Sequence, residues 1–209
     1  AMVNREIFNH HIDLRTGTEL AEIKGDEQGR AQRVITKDGQ DIPCQFVGIS
    51  IGVHPNLTIA GNTSLQTSKG IQVDPYLQTN IPNVYAGGDC SEQTEPKPGR
   101  GAIEAIWYTG KMMGEVLGHN VIHSDQPKEY DPGVFFNSAK FFTIDYQVYG
   151  SIKPNPEPPV TTLYWEHPDG KKAIRINYHE ETRAVVGFNL MGTHYRHRVC
   201  EYWIEAGTP

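Results

Sequence analysis

The stretch from Gly70 to Cys90, GIQVDPYLQTNIPNVYAGGDC, holds the residue types best suited to ligand chemistry in this 209-residue chain. Val84-Tyr85-Ala86 has strand-forming composition, and Gly87-Gly88 then brings bare backbone within reach of a neighbour or a ligand. Asp89 follows, placing a carboxylate at the carboxyl end of the expected strand. Ligands of open α/β sheets bind at that edge, where a carboxylate accepts hydrogen bonds from sugar or polyol hydroxyls. The pattern next predicts a helix from Ala102 to Leu117, opening near Arg100-Gly101-Ala102 and stopped by Gly118. Its unpaired amides and dipole would favour partial negative charge on a ligand. Gly87, Gly88, Asp89, Arg100, Gly101 and Ala102 are therefore the candidate cofactor-binding residues. The sequence names no catalytic acid, base or nucleophile, and no metal site.

Plainer readings stand beside these. Taken alone, GGD after a strand is an ordinary turn, Arg100 a solvated loop residue and Cys90 a small packing residue. His194, His197 and Glu201 fall at i, i+3 and i+7, an HxxH order that suits an interface helix better than zinc. The aromatic residues Tyr146, Tyr149, Tyr164, Trp165 and Tyr178 read as a sheet face or interface.

Composition bounds the rest. The chain is 37% hydrophobic, enough for a core, and no apolar run approaches the roughly 20 residues that span a bilayer. A net charge of -6 with interspersed signs argues against nucleic acid and anionic membrane as partners. Three cysteines, Cys44, Cys90 and Cys200, lie far apart and form no CxxC, which favours a reduced, cytoplasmic setting. Ala1 before Met2 reads as a remnant of expression.

The elements that must position the site follow from periodicity and turn chemistry. The first fifty residues read as β-rich, with strands at Thr18 to Lys24 and Gly29 to Thr36, and Phe46 to Ile51 as a buried strand. Ile71-Gln72-Val73 and Asn83 to Ala86 are short strands. Gln126 to Pro132 is a linker. Strands are then expected at Phe142 to Tyr149, Thr161 to Glu166, Ala173 to Tyr178 and Ala184 to Leu190, with a closing helix from Thr193 to Ala206.

Several of these segments together resemble one family. Thr79 and Ile81 to Asp89 are similar to the second FAD motif of the pyridine nucleotide-disulfide oxidoreductase superfamily. Ser50-Ile51-Gly52-Val53-His54-Pro55-Asn56 resembles that family's crossover from the NAD(P) domain to the FAD domain, and Gly70 to Asp74 its GIxVD strand. The resemblance implies a fold of α/β plus α+β class. Partial FAD/NAD(P)-binding Rossmann-like domains would be followed by a β-rich C-terminal domain with a closing helix. The implied divisions are 1–52 (NAD(P) domain), 53–125 (FAD domain) and 126–209 (an α+β interface-type domain). It further implies that Asp89 binds the flavin ribityl chain, with Gly87 and Gly88 beside the ribityl-pyrophosphate region. Gly101 and Ala102 would face the flavin C2 oxygen, and Gly52, at the crossover, would join the cofactor-binding residues.

The third block, Phe135 to Phe142 with Gln147 and Gly150, resembles the C-terminal domain of rubredoxin- or ferredoxin-reductase-like members. Asn137 stands where those relatives carry Trp. No GxGxxG occurs in the chain, so the expectation is a fragment of an FAD-dependent NAD(P)H oxidoreductase, cut within the NAD(P) domain and colourless by itself. FAD and NAD(P) would then be cofactors of the parent enzyme. Electrons would pass to an unidentified acceptor, and the C-terminal domain would offer a homodimer surface. The alternative expectation is a non-catalytic interaction or dimerisation module with a vestigial half-site.

Overall fold

The structure, a computed structural model, describes residues 2–209. The chain divides into two compact units, Ala1–Gly52 and Val53–Pro209. The first opens with a helix, α1 (Met2–Asn9), where β-structure was expected; Met2 and Glu6, one turn apart, share its buried face. An antiparallel meander follows, β1 (Leu20–Gly25), β2 (Ala31–Thr36) and β3 (Asp41–Pro43), paired in the order β1-β2-β3. The Asp26 carboxylate shapes the first turn by accepting the amides of Gln28 and Arg30 at 3.0 and 2.8 Å.

The expected buried strand from Phe46 to Ile51 does not form. Phe46 is 85% exposed, Ile49 62% and Ile51 91%. A buried strand needs neighbours to take its backbone donors and acceptors, and no described strand pairs with this segment.

The second unit carries the candidate site. β4 (Ile71–Val73) lies parallel to β5 (Ser91–Gln93), with Ile71 opposite Ser91 and Val73 opposite Gln93. The expected strand at 83–86 is instead a bend that makes a lone bridge from Tyr85 to Gln78. Asn83 adopts φ 62°, and the Val84 carbonyl accepts both the amide and the hydroxyl of Thr79, each at 2.9 Å. Those local bonds take the groups that a longer strand would need for a ladder.

Helix α2 (Trp107–Ile122) begins five residues later than expected and runs past Gly118. Its start is delayed because the preceding segment is tied to β5: the Ala102 carbonyl accepts the Gln93 amide at 2.8 Å. Its buried positions, Thr109, Met113, Val116 and Asn120, keep a 3.6-residue period that starts only at Thr109.

Beyond the linker stands a five-stranded antiparallel sheet in the order β6-β7-β10-β9-β8. Its strands are β6 (Phe136–Phe141), β7 (Ile144–Gly150), β8 (Val160–Glu166), β9 (Ala173–His179) and β10 (Val185–Met191). The last three match expectation within a residue or so. Phe142 does not open a strand: at φ 53° it lies in the turn between β6 and β7. Helix α3 (His197–Glu205) lies within the expected closing helix and packs Cys200, Trp203 and Ile204 against Tyr149, Phe188 and Leu190. A second core joins Val73, Leu77, Met113, Val116 and Tyr130. Among the described residues no helix is long and apolar enough to cross a membrane.

Candidate functional site

Gly87 is extended, Gly88 to Cys90 forms one turn of 3-10 helix, and β5 starts at once behind it. The turn rests on the start of α2. A Cβ on Gly87 would stand 2.6 Å from Leu117 Cδ1 and 3.4 Å from Met113 Cβ, so the missing side chain is first a demand of helix packing. Gly88 differs: φ is 77°, and nothing lies within 4 Å of where its Cβ would be. Its amide donates to Met113 Sδ at 3.1 Å, and its carbonyl accepts the Ser91 hydroxyl at 2.9 Å. The added Cβ of Gly110, in the first turn of α2, would lie 3.8 Å from Gly88 Cα, so the turn and the helix start share one corner.

Asp89 is exposed at that corner, and its carboxylate has no hydrogen-bond partner among the described residues. No side chain caps α2, whose N-cap is Ile106 in extended geometry. The Thr109 hydroxyl turns back to donate to the carbonyls of Glu104 and Ile106 at 3.0 and 2.8 Å, so it serves the helix start without capping it. A free carboxylate beside an uncapped helix N-terminus can accept from hydroxyls and offer amides to an acceptor.

Arg100 has a different post. Its guanidinium forms a bidentate pair with Glu104, through Nε to Oε1 at 2.8 Å and Nη2 to Oε2 at 2.5 Å. Nη1 donates to the carbonyls of Pro132 and Gly133 at 3.1 and 3.0 Å, and the group lies 5.4 Å from the centre of the Phe135 ring. With 6% of the Arg100 side chain and 9% of the Glu104 side chain exposed, the pair is a buried clamp between the approach to α2 and the segment that leads into the five-stranded sheet. Gly101 donates its amide to Glu104 at 3.2 Å, and Ala102 is bonded to β5.

The residues at the helix start are Trp107, Tyr108 and Thr109, which sequence reasoning did not single out. Trp107 is 71% exposed, and the Tyr108 hydroxyl shares a hydrogen bond of 2.9 Å with Ser138 of β6. No apolar period marks them in the sequence, because two of the four buried positions that set the helix register, Thr109 and Asn120, are polar. Gly52, with φ 101°, closes the first unit. His194 lies 3.1 Å from Asp145 rather than joining His197, which faces Glu201 at 4.0 Å. Among the described residues no group of three His, Cys, Asp or Glu could hold a metal ion.

The model of the pyridine nucleotide-disulphide oxidoreductase family matches residues 1–106. The chain belongs to that family. It is 38% identical over 185 residues to a nitrite reductase (NAD(P)H) of Bacillus subtilis, covering 88% of this chain and 22% of that protein. A ferredoxin reductase subunit of a Sphingobium 5,5'-dehydrodivanillate O-demethylase is 39% identical over 137 residues, or 63% of this chain and 32% of its own length. Among solved structures, an NAD-dependent persulfide reductase from A. fulgidus superposes with a TM-score of 0.81 at 21% identity, over 99% of this chain and 40% of that one. The chain thus spans less than a third of the length of either curated relative, and the fold it shares with the persulfide reductase extends over nearly all of it.

Proposed function

We propose that these residues form the ribityl-and-pyrimidine half of an FAD site in a longer NAD(P)H oxidoreductase. The observation that carries this reading is the close approach of Gly88 to Gly110, which sets the turn bearing the exposed, unpartnered Asp89 against the uncapped start of α2. The chemistry of that corner fits the cofactor. Asp89 would accept hydrogen bonds from ribityl hydroxyls, and open space over Gly88 would let the chain of the ligand pass close to the backbone. The first-turn amides of α2, at Trp107, Tyr108 and Thr109, would face a flavin carbonyl in place of Gly101 and Ala102. When bound, FAD supplies hydride acceptance from the nicotinamide and onward electron transfer; the protein binds, orients and shields it.

Supporting the reading further, relatives include nitrite and ferredoxin reductases whose names carry NAD(P)H or an electron-transfer partner. A ferredoxin-type electron carrier is accordingly the proposed class of acceptor. Arg100 in this reading positions the site through Glu104 and does not touch the flavin.

The test uses Asp89→Ala in a longer polypeptide that also carries the family's glycine fingerprints. It should be purified with less than about a tenth of the flavin of the parent and lose NAD(P)H-dependent ferricyanide reduction in proportion, as expected when a charged hydrogen-bond acceptor is lost. Full flavin occupancy in that variant would remove Asp89 from the site. The 209-residue chain alone should be colourless.

A further inference from the structure

We propose that His119 and His123, at the far end of α2 from the Asp89 corner, form a two-histidine clip for a divalent transition-metal ion such as Zn²⁺. His119 lies in the last turn of α2 and His123 is its C-cap. The His123 amide donates to the His119 carbonyl at 2.8 Å, so the helical i, i+4 relation holds between them. Two histidines at that spacing project from one face of a helix, where they can share one ion. Their ring centres lie 4.9 Å apart, with the planes inclined at 39°. Two imidazoles bound at about 2.0–2.1 Å to one tetrahedral zinc have ring centres roughly 5 Å apart. The pair already stands at the separation that a shared ion sets.

Hydrogen bonding leaves the nitrogens that such a clip needs. His119 Nε2 lies 3.1 Å from the Gln126 carbonyl, an acceptor, so that nitrogen carries the proton and Nδ1 of the neutral ring keeps its lone pair. Metal-bound histidines donate their other ring N–H to a carbonyl in this manner, which fixes tautomer and ring orientation. The His123 ring is exposed and has no hydrogen-bond partner among the described residues. The Gln126 amide donates to the His123 carbonyl at 3.0 Å, so the turn that follows the helix is tied to both histidines. Glu115, one turn earlier, is drawn to Lys111 at 3.8 Å, and among the described residues no third His, Cys, Asp or Glu completes the group. Water would take the remaining positions. Nitrogen donors favour a borderline ion over Mg²⁺ or Ca²⁺, and the negative end of the helix dipole favours a cation there. The unfolded chain does not hold the two rings together, so the ion would stabilise the helix end and the turn behind it.

Titration of the isotopically labelled chain with zinc chloride, followed by NMR at the histidine rings and by thermal denaturation, tests this. The His119 and His123 signals should move first and saturate together at one equivalent, with a rise in Tm. Magnesium chloride should do neither. His123→Gln leaves the bond from His119 to Gln126 in place and should weaken zinc binding by roughly 10–100-fold and remove the gain in Tm. His194→Gln, whose ring pairs with Asp145, should change neither. Should His123→Gln fail to fold, the ring-by-ring titration of the native chain decides alone. Three outcomes overturn the proposal: zinc moving the His194 or His197 signals at the same concentrations, the two rings of the pair titrating with different affinities, or His123→Gln binding zinc as tightly as the native chain.

Discussion

At Gly87 one added methyl group would strike Leu117, and this separates two explanations of the glycine pair. Sequence reasoning took both glycines as room for a ligand, since small residues before an acidic one after a strand invite it. In the folded chain Gly87 makes room for α2, whereas Gly88 leaves its space open. Gly87→Ala is expected to destabilise the chain by about 1–3 kcal/mol through overpacking, measured by urea denaturation, and Leu117→Ala in the same chain should recover part of the loss. Gly88→Ala should be strained by its positive φ without any collision. The thiols sort in a similar way. Cys200 is fully buried, and burial pushes its pKa up to about 11, while Cys44 and Cys90 are partly exposed. A native-state assay with a thiol reagent near neutral pH should label Cys44 and Cys90 and spare Cys200 until denaturant is added. Asp89 stands out in the sequence as a candidate because its position after a glycine pair is a strong local pattern. Trp107 to Thr109 do not, because the helix start depends on a bond from Ala102 to a strand that the sequence did not announce.

The elements divide along the same line between local and distant causes. β8, β9 and β10 were readable from alternation and hairpin turns, since each answers to its own residues and near neighbours. β5 and the bend at 83–86 were not, because parallel pairing with β4 joins residues twenty apart and leaves no periodic trace in three-residue strands. The Phe46 to Ile51 run misled for the opposite reason: apolar composition alone does not supply the strands that must flank it. Asn120 shows how much one unremarked polar residue can hold. It is fully buried near the end of α2, donating to the carbonyls of Tyr76 and Lys128 at 2.9 and 3.0 Å and accepting the Lys128 amide at 2.7 Å. Asn120→Ala leaves those three backbone groups without partners and should cost about 2–4 kcal/mol. Hydrogen exchange at Lys128 should report the loss as faster exchange of its amide.

Over the whole molecule, two buried phenols join the buried Cys200 thiol in setting the chain's response to alkali. Tyr130 and Tyr149 each have a pKa pushed by burial from 10.0 to about 12. The unfolded chain releases both protons near pH 10 and the native chain holds them, so the stability these two groups contribute is complete below about pH 10 and is lost as pH rises toward about 12. Denaturation midpoints across that window should drop steeply in the native sequence and less steeply in the Tyr130→Phe, Tyr149→Phe double variant. Equal slopes would place both hydroxyls in water.

The Arg100 clamp carries a consequence for how such a chain can diverge. Its partners at the seam before β6 are the carbonyls of Pro132 and Gly133. Every amino acid presents a main-chain carbonyl, so the bond itself does not specify the residue at position 132, whereas the φ of 57° at Gly133 favours glycine there. The side-chain requirement falls mainly on Arg100, Glu104 and the Phe135 ring beneath the guanidinium, and the sheet beyond the seam is free to acquire a new surface.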